Sequence, residues 1–369
     1  MRITAIDIYR VNMPLIYPFR TAFGNDDAIE SVLVRMEADG QYGWGESAPW
    51  RMPAYSAEWA AGTFLLLRDV LAPLVLGQEV ASGQALHSLL AGVKGNPFAK
   101  AALDTAWWDL HARAQGRPLW QVLGGTQNPV FVGADFGVME TIDALLAEID
   151  GAVQAGFRRV KLKFRPGWEL EMVDAVRRAF PDTVFHVDCN SAYRLDALPM
   201  LRKLDRYNLA MIEQPLAHDD LVDHAVLQAQ LETPICLDES ITGPEAARKA
   251  IQLGACRWVN IKPGRVGGLT QAVAVHDLCR DAGVPCWIGG MLESALGGMH
   301  CLALATLPNI RYPSDVFPSS RFYRKDLSRP ELILSGPSQM TAPSSPGAGA
   351  EPDPEMLAAC VMERAGVKG

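Results

Sequence analysis

The sequence contains no C-x-x-C pair, and its seven cysteines are an odd number. A disulfide framework or a thiolate zinc site is therefore not expected, and reduced thiols in a cytoplasmic enzyme fit the pattern best. No stretch reaches the ~18–20 uninterrupted apolar residues of a membrane span. Residues 1–8 open directly on strand-like alternation, with no apolar leader run, so no targeting signal is expected. Positive charge is in deficit, with 34 Lys and Arg against 42 Asp and Glu and a net charge of −8. That balance argues against nucleic acid and anionic membranes as partners. What the chain does have is 369 residues at 49% hydrophobic composition, enough for a large core and more than one structural unit.

The organising stretch is Arg159-Val160-Lys161-Leu162-Lys163-Phe164, which has a strand pattern. Side chains alternate in a strand, so Lys161 and Lys163 share one face while Val160, Leu162 and Phe164 take the other. Two adjacent ammonium groups repel, which is expected to lower the pKa of at least one towards the range a catalytic base needs. From Lys163, short apolar runs end on ionisable residues at nearly constant spacing: Asp188, Glu213 and Asp238 at 25-residue steps, then Lys262 at 24. Each run resembles a strand buried on both faces, and each is followed by room for one amphipathic helix. The repeat predicts an α/β fold, a (β/α)8 TIM-like barrel, with these residues at the C-terminal strand ends where barrel active sites lie. A single acid there could be a helix cap, but five ionisable residues in register form a constellation.

Residues 1–125 do not share the period. Strand patterns at 3–11, 31–37 and 43–46 suggest an antiparallel meander turning at Asp39-Gly40, and helical patterns follow at 57–76, 84–90 and 97–115. This is an α+β unit ahead of the barrel, with Trp107 and Trp108 expected in packing. Loops at 18–26 (with Arg20) and 49–55 (with Tyr55) mix aromatic side chains and arginine with Pro and Gly, which suits a lid over a small anion. The first barrel strand is expected at 129–133, the seventh at 284–288 before Gly289-Gly290-Met291-Leu292-Glu293-Ser294, and the last near 310–312, before Asp315. The organisation read from this is a unit at 1–125, a barrel at 126–325, and a tail at 326–369 that packs back on the first unit.

The chemistry follows from the strand ends. Asp188, Glu213 and Asp238 are expected to converge, and their mutual repulsion calls for a divalent cation. Oxygen-only ligands favour Mg²⁺, with Mn²⁺ possible, and Asn190 could orient a metal-bound group. Strands two and six lie on opposite sides of the barrel, so Lys163 and Lys262 would face each other across the mouth. A small carboxylate substrate between them would present its α-carbon to both, and removing that proton creates a dianionic enediolate that needs preorganised positive charge. Lys161 would keep Lys163 partly deprotonated, Glu239 would orient a lysine, and Arg265 lies close enough in sequence to tune Lys262.

Lys161-Leu162-Lys163, Asp188-Cys189-Asn190, Glu213-Gln214-Pro215, Asp238-Glu239-Ser240 and Asn260-Ile261-Lys262 together resemble the enolase superfamily, in its muconate-lactonizing subgroup. Gly289-Gly290-Met291-Leu292-Glu293 and Pro346-Gly347-Ala348-Gly349 narrow the resemblance to the branch holding o-succinylbenzoate synthase and N-succinylamino acid (N-acylamino acid) racemase. The likeness covers essentially the whole chain, including Pro18-Phe19-Arg20-Thr21 and Gly43-Trp44-Gly45-Glu46. It implies an α+β capping domain completed by the tail, a homo-oligomer, and Tyr55, Arg20, Gly290, Met291 and Glu293 near substrate. The implied reaction is dehydration of 2-succinyl-6-hydroxy-2,4-cyclohexadiene-1-carboxylate in menaquinone biosynthesis, or racemisation of N-acylated amino acids, and one protein of the branch can do both. None of the seven histidines falls at a late strand end, unlike mandelate-racemase-like enzymes and acid-sugar dehydratases. Where dipeptide epimerases carry D-x-D, this chain has Asp315-Val316-Phe317. Where the branch often has serine, at the end of the first strand, this chain has Asp135. An acid there should weaken binding of an anionic substrate unless it points away.

Overall fold

A computed structural model describes residues 1–21 and 24–368. Ile3–Thr21 folds back as Gly24–Ala38 and again as Gln41–Ser47, turning the second time at Asp39-Gly40, where φ is +51° and +75°. Two successive positive φ values are what a two-residue hairpin turn requires, and Asp-Gly supplies them. The expected loop at 18–26 is instead part of the first hairpin, with Phe19 opposite Asp26 and Arg20 opposite Asn25. Pro14 and Pro18 lack a donor, so the ladder shifts register between Pro14 and Phe19 and then resumes. Ala22, Phe23 and the side chain of Arg20 lie outside the described residues.

Helix Pro97–Ala114 packs on the third strand at backbone contact. A Cβ on Gly43 would lie 2.3 Å from Leu110 N, and one on Gly45 2.4 Å from Ala106 N. Trp107 is buried in this packing, and Trp108 reaches across to the barrel, donating from Nε1 to Thr270 Oγ1 at 2.8 Å.

Seven parallel strands follow in chain order: Ala134–Phe136, Arg159–Lys163, Val184–Asp188, Ile212–Glu213, Ile235–Leu237, Trp258–Ile261 and Cys286–Ile288. Residues 310–314 fill the eighth position. Arg311 N donates to Cys286 O at 2.9 Å, Asp315 N to Ile288 O at 2.8 Å, and Gly133 N to Ser314 O at 3.0 Å, which closes the ring. Pro313 removes a donor from this stretch, which joins through bridges and not a full ladder. The helical element that comes next is the short 3₁₀ turn Ser319–Arg321, where the earlier strands lead into helices.

The strand expected at 129–133 belongs to the barrel only in part. Val130–Phe131 pairs antiparallel with Gln339–Met340 of the tail, Val132 bridges Ser314 in parallel, and the continuous parallel ladder with the second strand begins at Ala134. A short apolar run reads alike in either sheet, so its pattern cannot name its partner. After this contact the tail continues to Val361–Lys368, which adds an outer strand against Ile3–Thr21. Inside the barrel, Met211, Cys236 and Trp287 form a small buried cluster with Tyr312, and His186 Nδ1 stands 3.1 Å from the Tyr312 hydroxyl. This aromatic layer fills the lower barrel, leaving the C-terminal strand ends to form the mouth. All seven cysteines are free thiols, and no helix among the described residues is long and apolar enough to cross a membrane.

His300, on helix Ala295–Ala305, is buried, and burial pushes its pKa down to about 4 against the opposing pull of the Leu296 and Thr105 carbonyls. In the unfolded chain an imidazole titrates near ~6.5, so the unfolded state takes up the proton first as pH falls. Stability is expected to decline from about pH 6.5 to about 4, by up to ~3 kcal/mol, and His300→Gln should flatten that slope in urea unfolding measured across the window.

Candidate active site

Strand register aligns the ionisable residues. Lys163 is paired with Asp188 and Asp188 with Glu213, so three strand ends stand in a row. Glu213 is paired with Cys236, and Asp238 lies two residues beyond on the same face. Lys161 Nζ, buried below the mouth, stands 3.0 Å from Asp188 Oδ2, 2.9 Å from Glu213 Oε2 and 3.3 Å from Asp315 Oδ2. Lys163 Nζ donates to Asp188 Oδ2 at 2.8 Å and to Asn190 Oδ1 at 2.9 Å. Asn190 Nδ2 in turn donates to Glu239 Oε1 at 3.2 Å, so Glu239 touches Lys163 only through Asn190. Lys262 Nζ donates to Asp238 Oδ2 at 2.9 Å and lies 4.7 Å above the centre of the Tyr55 ring. The other oxygen of Asp238 accepts from Arg265 Nη1 and, at 3.1 Å, from the Tyr55 hydroxyl.

The expected lowering of the lysine pair by mutual repulsion does not describe Lys161. Burial alone would lower its pKa, but the carboxylates of Asp188, Glu213, Asp315 and Asp135 together hold it well above the ordinary lysine value. Lys161 is therefore a positive charge bound to three acids, one of which, Asp188, it shares with Lys163. Lys262 is also raised: burial works against it, and the Tyr55 oxygen with the Glu239 and Glu213 carboxylates outweighs burial. Asp188 is held far below the usual carboxylate range, because Lys161 and Lys163 overcome the effect of burial. Glu239 moves the other way, pushed up to about 7 by burial and by the charge of Asp188.

Asp188, Glu213 and Asp238 stand on adjacent strand ends as expected, each engaged by side chains of the protein. Among the described residues, no group of three or more His, Cys, Asp or Glu is arranged to hold a metal ion. Each carboxylate faces cationic or donor side chains instead; Glu213 Oε1, for example, accepts from Asn260 Nδ2 at 2.7 Å, and its Oε2 lies 3.2 Å from His186 Nε2. The donor chemistry still suits a hard divalent cation, since all three side chains are buried carboxylates on neighbouring strands with no sulfur among them.

Lys163 and Lys262 line one pocket at the barrel mouth, with Phe19, Trp50 and Tyr55 from the N-terminal unit and Gly290, Met291 and Leu292 after the seventh strand. Glycine is needed where this loop passes the lysine: a Cβ on Gly289 would lie 2.7 Å from Lys262 Cε and 2.3 Å from Asn260 Oδ1. Glu293 does not line the pocket; its Oε2 accepts from Met291 N at 2.8 Å and shapes the loop from behind. Asp135 does not point away. It is paired with Lys161, so it takes the inner face of the first strand, and it lines the pocket with a buried Oδ1 that has no hydrogen-bond partner. Burial and the nearby Asp315 raise its pKa, while Lys161 opposes them.

Motif and spacing assign no individual role to Asn260 or Asp315, and place Trp50 only within the expected lid loop 49–55. Asn260 left a signal, since it lies two residues before Lys262 on the same strand. Asp315 left only its place after the last strand; its contacts with Lys161 and, at 2.5 Å, with Arg159 Nη2 cross from the eighth position to the second strand.

A parallel barrel with Lys-x-Lys on its second strand, three acids on the next three strand ends and a lysine on the sixth defines an enzyme of the enolase superfamily. Residues 3–124 match the N-terminal domain model of the mandelate racemase / muconate lactonizing enzyme family and residues 144–356 its enolase C-terminal domain-like model, so the chain belongs to that family. It is 46% identical to the N-succinylamino acid racemase of Thermus thermophilus over 349 residues, covering 95% of this chain and 94% of that protein. It is 44% identical to the o-succinylbenzoate synthase of Geobacillus kaustophilus over 354 residues, covering 96% and 94%. The crystal structure of an enolase superfamily member from Listeria innocua, 32% identical, matches with a TM-score of 0.96 over 100% of this chain and 99% of that one.

Asp135→Asn keeps the size of the side chain and removes its charge. Steady-state kinetics are expected to show KM for a substrate with a second carboxylate falling about fivefold, the effect of roughly 1 kcal/mol of like-charge repulsion, with kcat nearly unchanged. A rise in KM would mean that Asp135 accepts a hydrogen bond from the substrate.

Proposed function

We propose that this chain is an o-succinylbenzoate synthase whose site also supports N-succinylamino acid racemisation. The observation that carries the reading is that Lys163 and Lys262 reach one pocket from the second and sixth strands, each held by a different acid, Asp188 and Asp238. A small carboxylate substrate seated between them has a proton donor or acceptor on each face of its α-carbon. Asp188, Glu213 and Asp238 would hold Mg²⁺ or Mn²⁺, which when bound supplies fixed positive charge against the substrate carboxylate.

In the synthase, Lys163 takes the α-proton of the cyclohexadiene carboxylate and returns it to the departing hydroxyl. The C–H and C–O bonds break, the ring becomes aromatic, and water leaves. Lys262 contributes its charge, which the Asp238 contact positions and the raised pKa maintains. In the racemase, Lys163 and Lys262 alternate as base and acid on opposite faces. Asn190, Glu239, Tyr55 and Arg265 keep the two ammonium groups and their carboxylates in place. Residues 1–125 and the tail act as the cap, and Phe19, Trp50 and Tyr55 exclude water from the pocket. The relatives named for the two reactions support both halves of this reading.

Chelation of divalent cations should abolish turnover, and added Mg²⁺ or Mn²⁺ should restore it; full activity in chelated protein would overturn the metal assignment. The lysine roles separate in D₂O with an N-succinylated amino acid. Lys163→Ala should stop α-proton exchange starting from one enantiomer, Lys262→Ala should stop it from the other, and racemisation should vanish in both. Lys262→Arg keeps the charge without the acid–base role, so it should retain at least about tenfold more synthase than racemase activity relative to wild type. Equal loss of both activities, with the fold intact, would show that the lysine roles are misassigned.

A further inference from the structure

Glu46 is the penultimate residue of the third strand of the N-terminal sheet and is 4% exposed. Its two oxygens accept four hydrogen bonds. Oε1 takes Ser31 Oγ at 2.9 Å and Ser294 N at 3.0 Å, and Oε2 takes Ser294 Oγ at 2.5 Å and Gly297 N at 2.9 Å. Three of the four donors belong to the first turn of helix Ala295–Ala305, which begins where the pocket loop 289–294 ends. A helix N-terminus presents unpaired N–H groups and favours negative charge. Each carboxylate oxygen faces one backbone N–H, Ser294 N or Gly297 N, so an amide N–H₂ in either place would oppose a donor that cannot accept from it. Gly297 keeps the space open: a Cβ there would lie 3.0 Å from Glu46 Oε2 and 2.6 Å from Glu293 Cβ.

The loop on the other side of this joint is held under strain. Leu292 has φ +60°, a left-handed conformation that costs a non-glycine residue of order 1 kcal/mol or more. Its carbonyl accepts from Tyr323 OH at 2.5 Å, and the carbonyl of Met291 accepts from Trp50 Nε1 at 2.8 Å. The same loop abuts Lys262 through Gly289, whereas Lys163 is held on the far side of the mouth by Asp188 and Asn190. The loop backbone is thus packed directly against Lys262, while the hydrogen bonds that hold Lys163 come from the third strand and the residues after it.

We propose that Glu46 is a positioning residue: from the N-terminal sheet it anchors the start of helix Ala295–Ala305, and so holds loop 289–294 in the shape that sets Lys262 against the substrate. The link to Lys262 chemistry rests on the reaction proposed above, but the anchoring itself does not. Glu46→Gln replaces one acceptor oxygen with a donor that faces N–H and O–H groups, and should release the loop without changing any group in the pocket.

The test uses the full-length protein in two measurements. Hydrogen–deuterium exchange read by mass spectrometry should show amides in 291–297 losing protection at least about tenfold in Glu46→Gln, as expected for local opening, while the barrel strands keep theirs. The α-proton exchange of each enantiomer of an N-succinylated amino acid, sorted by its loss in Lys262→Ala, should fall at least about tenfold more on the Lys262 side than on the Lys163 side, since ångström-scale misplacement has effects of that size. Unchanged protection at 291–297, or an equal fall on both sides, overturns the proposal. Should Glu46→Gln fail to fold, Ser31→Ala removes a hydroxyl contact to Glu46 from the sheet side and leaves the Ser294 cap of the helix intact, and should give the same selective pattern at smaller size; no selectivity there overturns it equally. A wild-type protein that exchanges neither enantiomer refutes the proposed reaction, and the amide protection then decides the role of Glu46 alone.

Discussion

One buried ammonium holds the barrel mouth together. Lys161 touches carboxylates from the third strand, the fourth strand and the eighth position, and none of those acids is more than 5% exposed. Charges this deep are tolerated only when they compensate one another, and removing one partner leaves the others buried and unpaired. Arg159 extends the network by binding Asp315 from the strand that carries Lys161. The eighth position joins its neighbours through a handful of backbone bonds, so this charge network also ties the ring closed where its ladder is thinnest.

The two outer lysines sit on this base with separate anchors. Lys163 shares Asp188 with Lys161, whereas Lys262 shares Asp238 with Arg265 and Tyr55. Tyr55 comes from the N-terminal unit, so that unit enters the electrostatics of the barrel as well as covering its mouth. Two bases with independent supports can be adjusted independently, which suits a site that uses both for racemisation and one for elimination. Asp135 is the discordant member, an acid on the inner face whose buried oxygen has no partner. It is the position at which this pocket departs from the serine often found in the branch, and it bears on which carboxylates the pocket accepts.

The wall opposite the lysines depends on missing side chains. Gly289 and Gly290 let the loop touch Lys262 and the Asp315 carbonyl, and Gly297 lets Glu46 and Glu293 pass one another. Close backbone approach of this kind is precise but carries little binding energy of its own, so the hydrogen bonds of Trp50, Tyr323, Glu293 and Glu46 keep it in place.

The sequence by itself determined the barrel and its ionisable strand ends, because strands buried on both faces must be short and apolar and the helices between them are of similar length. The 25-residue period therefore placed Lys163, Asp188, Glu213 and Asp238 at the mouth before any contact was known, and strand alternation paired Lys161 with Lys163. Composition misled where it did not encode a partner. Pro18 and Gly24 made 18–26 read as a loop, although the hairpin ladder resumes across it, and Val130–Phe131 read as barrel strand alone although it also pairs with the tail. Only the tertiary structure decided the charge state of Lys161, the inward direction of Asp135 and the joint at Glu46. Each depends on groups brought together from distant parts of the chain (Asp315 is 154 residues from Lys161, and Ser294 is 248 from Glu46). Local periodicity records which face a side chain takes, whereas a pKa or a four-donor socket is set by what the folded chain places against it.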